Sequence, residues 1–107
     1  MAEPTLVQIF GANATQDATT LTIHKADLTG LTPSSTNTAE SLLAGIVVFC
    51  QTTLTSANQL LNTDQSITIT DSNDNITTRS SVAYRRKTKI IAFDKLDTGT
   101  AFDPDDY

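Results

Sequence analysis

Few side chains in this sequence can do chemistry: one cysteine, Cys50, one histidine, His24, twelve acidic residues and seven cations in 107 residues. One cysteine excludes an internal disulfide and any multi-cysteine zinc site, and one histidine excludes every metal centre that needs two imidazoles. A thiol becomes a nucleophile at neutral pH only where a cation or base draws off its proton. Cys50 follows Ile46, Val47, Val48 and Phe49, a setting that predicts an inert core cysteine. His24 has no Ser/Asp motif beside it and reads as a surface or interface histidine. Asp71, Asn73 and Asn75 have the alternate spacing of a calcium loop. Its sixth position is Ile76 where glycine is needed and its twelfth is Val82 where a bidentate Glu is needed, so the segment reads as a plain turn. Asp103, Asp105 and Asp106 read as a solvated acidic tail, and four scattered glycines build no phosphate loop. No convergent catalytic site can be assembled, and the expectation is a non-enzyme without metal or cofactor.

Charge is more informative. Six of the seven cations, Arg79, Arg85, Arg86, Lys87, Lys89 and Lys95, fall within seventeen residues. They serve either as a solvated strand face guarding an exposed edge or as an electrostatic contact with an acidic partner. The Asp-rich tail of a neighbouring copy is one such partner. A net charge of −5 argues against a general nucleic-acid binder, because neutralising phosphates needs surplus cations. The longest strongly apolar stretch, Leu42 to Cys50, is nine residues, and about 18 are needed to span a bilayer. No cationic segment precedes an apolar run at the N-terminus, so no secretory signal and no membrane partner are expected.

The elements that must position these groups fit one small domain. Twenty Thr, eight Ser, six Asn and five Gln nearly match the 38% hydrophobic share, which leaves a thin supply for a core. We divide the chain into an arm (1–19), a core (20–96) and an extended acidic tail (97–107). Alternation from Thr20 to Asp27, with Leu21 and Ile23 on one side, predicts a strand. Asn37, with Glu40 three residues on, predicts a capped helix start. Ala39, Leu42, Leu43, Ile46, Val47, Cys50 and Leu54 then follow at helical spacing, with no charge between Glu40 and Asp64, which predicts a central helix buried on most sides. A strand over Ile46–Phe49 is the competing reading. Thr52 to Gln65 reads as a loop or helix end pinned by Leu60 and Leu61. A strand over Ser66–Thr70, a turn at 71–75, a return from Ile76 to Arg79 and a long strand from Val82 to Phe93, buried on both faces near its end, complete the domain. The expected fold is α+β: one central buried helix packed on a small, mostly antiparallel sheet, with extended N- and C-terminal arms.

Phe10, Phe102 and Tyr107, half of the six aromatic residues, lie outside these elements. They either anchor a partner or fold back on the domain. With the cationic strand they give the candidate partner-binding set: Phe10, Arg85, Arg86, Lys87, Lys89, Phe102 and Tyr107.

Four segments carry a resemblance: Pro4-Thr5-Leu6-Val7-Gln8-Ile9-Phe10-Gly11, Ala14-Thr15-Gln16, Thr36-Asn37-Thr38-Ala39-Glu40-Ser41-Leu42-Leu43, and Phe102-Asp103-Pro104-Asp105-Asp106-Tyr107. In these the chain resembles small structural proteins encoded beside the capsid and tail genes of tailed phages that infect cyanobacteria. The resemblance implies a virion component made in the host cytoplasm, and it carries over no catalytic residue. A Thr-rich, charge-poor domain with aromatic-anchored ends suits docking on a repeating lattice, where many modest contacts add up. The first expectation is therefore a capsid cement or decoration protein that binds the major capsid protein in many symmetric copies. The alternative is a neck or tail component: a head–tail adaptor, a tail terminator or a tail-tube-associated ring protein. A third class is a small enzyme, which would need a convergent site built from His24, Cys50 and scattered Asp, or a nucleic-acid-binding accessory protein, which would rest on residues 79–95 alone.

Overall fold

The computed structural model describes residues 2–97, 99 and 101–107; Met1 of the expected arm and Thr98 and Thr100 of the expected tail lie outside them. The fold is α+β, built from short helices and small antiparallel sheets.

The longest helix, α2 (Ala39–Gln51), starts where the extended Thr38 accepts a hydrogen bond from the Ser41 N–H at 3.1 Å. The cap is thus one residue later than expected. Asn37 instead closes the preceding loop, accepting from the Ser34 N–H at 2.9 Å and donating to the Thr32 carbonyl at 3.1 Å. Only Gly45 and Cys50 of α2 are buried, and Leu43 is 62% exposed. The helix is covered along one stripe and not on most sides, because the chain has too few apolar residues to wrap it. Cys50, Leu54 and Ile69 form the core, with Ile9, Ile46, Val47 and Ile67 packed against it.

Part of the expected N-terminal arm is a helix, α1 (Leu6–Phe10), closed by a capping box in which Thr5 and Gln8 exchange backbone and side-chain hydrogen bonds. It packs on α2 and is fastened from below. The Cys50 thiol donates to the Ile9 carbonyl at 3.2 Å, Thr53 Oγ1 donates to the Gln8 carbonyl at 3.1 Å, and Asn62 Nδ2 to the Ala2 carbonyl at 2.8 Å. Gly11 then turns the chain with φ +113°, a region that side chains disfavour. A Cβ there would lie 2.5 Å from that of Asp27, whose carboxylate accepts from Asn13 N–H at 2.8 Å.

The strand expected over 20–27 shrinks to β2 (Leu21–Thr22), paired with β1 (Thr15–Gln16). Leu21 is 49% exposed, so its alternation does not mark a buried face. From Lys25 the chain makes a 3-10 turn that buries Leu28 instead. After α2 a further helix, α3 (Ser56–Leu61), leaves Leu60 and Leu61 at 85% and 74% exposure, so the leucine pair pins nothing. Leu54 and the buried amide of Gln65 do that work: Gln65 Nε2 donates to the carbonyls of Thr55 and Ile67 at 3.0 and 2.9 Å.

Strand β3 (Ile67–Asp71) pairs antiparallel with the last strand, β6 (Lys89–Phe93), in the register Ile67↔Phe93 to Asp71↔Lys89. The Ile69 N–H donates to Leu54 O at 2.8 Å, so the outer edge of β3 is tied to the helical layer. Between them β4 (Asn75–Arg79) and β5 (Val82–Arg86) form their own hairpin, with Asn75 opposite Arg86 and Arg79 opposite Val82. The single strand expected over 82–93 is therefore two, broken at Lys87 and Thr88, and the one sheet is three two-stranded ladders. Ile90 and Ile91 are 52% and 41% exposed, so β6 is not buried on both faces.

Candidate partner-binding surface

The hairpin turns through Ser80 and Ser81, both left-handed at φ 49° and 64°, the geometry that matches the natural twist of paired strands. Side chains on directly opposed residues share a face. Thr77, Arg79, Val82, Tyr84 and Arg86 therefore line one side, with Ile76, Thr78, Ala83 and Arg85 on the other. Every residue of β5 is exposed, and in β4 only Thr77 is partly covered. The Arg79 guanidinium lies 4.2 Å from the centre of the Tyr84 ring, a cation–π contact that holds both side chains on one face.

The cationic cluster divides in two. Lys87, Lys89 and Lys95 are paired with Asp74, Asp71 and Asp106 at 2.8, 2.6 and 2.7 Å. Among the described residues the side chains of Arg85 and Arg86 have neither an ion pair nor a hydrogen bond. Lys89 also donates to Gln51 Oε1, which ties β6 to the end of α2. Its hydrogen bond, with that of Gln51, holds the Asp71 carboxyl below the usual carboxylate range. Asp71 thus ends a strand and holds a lysine, and Asn75 begins the next strand, so the Asp71/Asn73/Asn75 spacing spans two elements.

At the other end of the chain, the tail bends back through a 3-10 turn at Pro104–Asp106 and packs on β6. Phe93 meets Phe102 and Tyr107 edge-on, at centroid distances of 5.0 and 5.5 Å, and these two rings stack on each other at 5.6 Å. The tyrosine hydroxyl reaches the Phe93 carbonyl at 3.4 Å. The structure brings Phe102 and Tyr107 together and gives them an intramolecular seat, while Phe102 stays 60% exposed. Phe10, partly buried at the end of α1, joins no ring cluster among the described residues. Beside the aromatic cluster an open groove of about 960 Å³ is lined by Asp64, Asp94, Lys95, Leu96 and Asp106, among others. It continues into a second hollow containing Asp97, Phe102 and Tyr107.

The thiol and the imidazole lie in different settings. Cys50 is 7% exposed, burial pushes its thiol pKa up, and its proton is directed at the Ile9 carbonyl. His24 is exposed at the start of the 3-10 turn and its side chain caps nothing. Among the described residues no three His, Cys, Asp or Glu side chains are grouped to hold a metal ion, and no helix is long and apolar enough to cross a membrane.

No family model, curated protein or solved structure matches the chain.

Tyr84, Ile76 and Val82, outside the candidate set, give the cationic hairpin its apolar surface. Their signal was an aromatic followed by two arginines in a strand with no counterpart to cover it. Phe93 was overlooked for another reason. Its place in an alternating strand hid the fact that it receives the tail.

Proposed function

We propose that this chain is a non-enzymatic virion structural protein, a cement or decoration subunit that binds the major capsid protein in many symmetric copies. One observation carries the reading: the isolated chain has too much surface. It exposes 7799 Å² at 11.5 kDa, where the scaling for compact monomers gives about 5,800 Å². Its radius of gyration is 16.2 Å, against about 13 Å for a compact domain of this length. The surplus of about 2,000 Å² exceeds the roughly 800 Å² that one partner contributes to a standard interface. A subunit touching several neighbours at once would cover it. Large apolar residues contribute to this surface, including Ile76, Val82, Ile90, Leu96 and Phe102. The resemblance in the N-terminal, helix-start and C-terminal segments supports a virion setting.

The test is the stoichiometry of purified particles. Quantitative mass spectrometry should find hundreds of copies in fixed ratio to the major capsid protein. A dozen or fewer would remove the decoration reading in favour of a neck or tail ring. That second reading is favoured by the projecting hairpin, because subunits in rings commonly join by strand pairing. Imaging a labelled copy separates them, since one bright vertex contradicts coverage of the whole shell.

A further inference from the structure

We propose that the β4–β5 hairpin of one copy seats on the acidic groove and aromatic cluster of a second copy of this chain, a contact that rests on the many-copy reading above. The charges are complementary and segregated. Residues 75–87 contain four cations and no acid, while residues 94–107 contain five aspartates and one lysine. Among the described residues Asp64, Asp97 and Asp105 have carboxylates with no ion pair, matching the unpaired Arg86 on the Tyr84 face of the ribbon and the unpaired Arg85 on its other face. Arginine pairs with carboxylates through a planar fork of donors, which suits a contact that fixes orientation as well as charge.

The apolar parts match too. Tyr84, 41% exposed on the hairpin, and Phe102, 60% exposed beside the groove, are the aromatic residues such a contact would bury, and aromatic and arginine side chains dominate binding at protein interfaces. The hairpin itself needs a partner. Its strands pack chiefly on each other, and an isolated two-stranded ribbon is marginally stable in water. Every copy offers one hairpin and one groove, unlike surfaces, so the contact repeats from copy to copy until its rotation closes the assembly.

A charge swap in the full-length chain tests this. The variants Arg85→Glu/Arg86→Glu and Asp97→Arg/Asp105→Arg change exposed residues, and circular dichroism checks that each keeps the parent fold. Sedimentation velocity should show the parent associating with rising concentration and less so with added salt. Each variant alone should associate about tenfold more weakly, and their equimolar mixture should recover to within about threefold of the parent, because each reversed surface meets its opposite on the other variant. A parent that stays monomeric at several hundred micromolar overturns the contact, as does a variant that associates like the parent or a mixture no better than its components. A parent monomeric in solution yet abundant in particles would overturn this contact and leave capsid binding standing. A parent that associates but is absent from particles would do the reverse.

Discussion

Gln65 is the most buried polar side chain, at 3% exposure, and its amide bridges the layers of the fold. Its two Nε2 protons go to Thr55 O, just before α3, and to Ile67 O on the outer edge of β3. Its backbone carbonyl accepts from Gln59 Nε2 at 3.2 Å. Gln65→Leu shortens the side chain by one bond and removes both donors, leaving the Ile67 carbonyl without this partner while the Thr55 carbonyl keeps the Gln59 N–H at 3.1 Å. Stranding the Ile67 carbonyl costs about 1–3 kcal/mol and losing the bond to Thr55 about 0.5–1.5 kcal/mol, so the expected loss is about 2–4 kcal/mol. A chain of this length has a total stability of about 5–15 kcal/mol, and a core as thin as this one places it towards the lower end. Urea unfolding measures the loss directly: with a slope of about 1–3 kcal/mol per molar, the midpoint should fall by about 1–2 M at unchanged slope. Gln65→Glu removes the same donors and adds a buried charge, so at neutral pH it should be worse than the leucine variant. A shift below about 0.3 M for Gln65→Leu would show instead that water satisfies the Ile67 carbonyl or that the amide is not the link between α3 and β3.

Three further outcomes follow. Replacing Ser80–Ser81 by Asn–Gly, which adopts the left-handed turn at lower cost, should stabilise the hairpin by about 1 kcal/mol and slow amide exchange in β4 and β5 without slowing it at Ile69; equal protection throughout would show the hairpin to be coupled to the core. Because Lys89 and Gln51 lower the folded pKa of Asp71, its contribution is complete above the unfolded carboxylate value of about 3.9 and is lost as pH falls through the folded value. Asp71→Asn should therefore flatten the acid limb of a stability-versus-pH curve below about pH 4, and an unaltered limb would remove that role. Gly11→Ala puts a Cβ into Asp27 at a φ of +113° and should lower stability by about 1–3 kcal/mol, read as a fall in thermal midpoint; a neutral result would mean that the turn relaxes freely.

Helix α2 was legible because its signals are local: polar residues before it, with the cap itself one residue beyond Asn37, and Ile46, Val47, Cys50 and Leu54 at helical spacing. The turn after Asp71 was also legible, but the partner of β3 was not. Pairing depends on where the long β-rich run breaks, and neither Lys87–Thr88 nor Ser80–Ser81 contains the glycine or asparagine that usually marks such a break. Hydropathy misdirected the reading at Leu60, Leu61 and Gln65, where two leucines stay in solvent and an amide is buried. An amide is buried only where backbone acceptors converge on it, and that is a property of three segments together. The cationic cluster was visible as composition. Its division into paired lysines and unpaired arginines depends on which aspartates lie opposite each strand.

The hairpin has a consequence for how this sequence can change. Its residues are nearly all exposed and pack chiefly on one another, and none belongs to the cluster around Cys50, Leu54 and Ile69. Substitutions between Asn75 and Arg86 therefore carry little penalty in folding, since distant and independent sites contribute separately. Folding and surface recognition are written in different stretches of the chain. A lineage under pressure to match a changing neighbour could reverse charges or exchange the aromatic on this ribbon, one position at a time, with the helical layer and β3 left undisturbed.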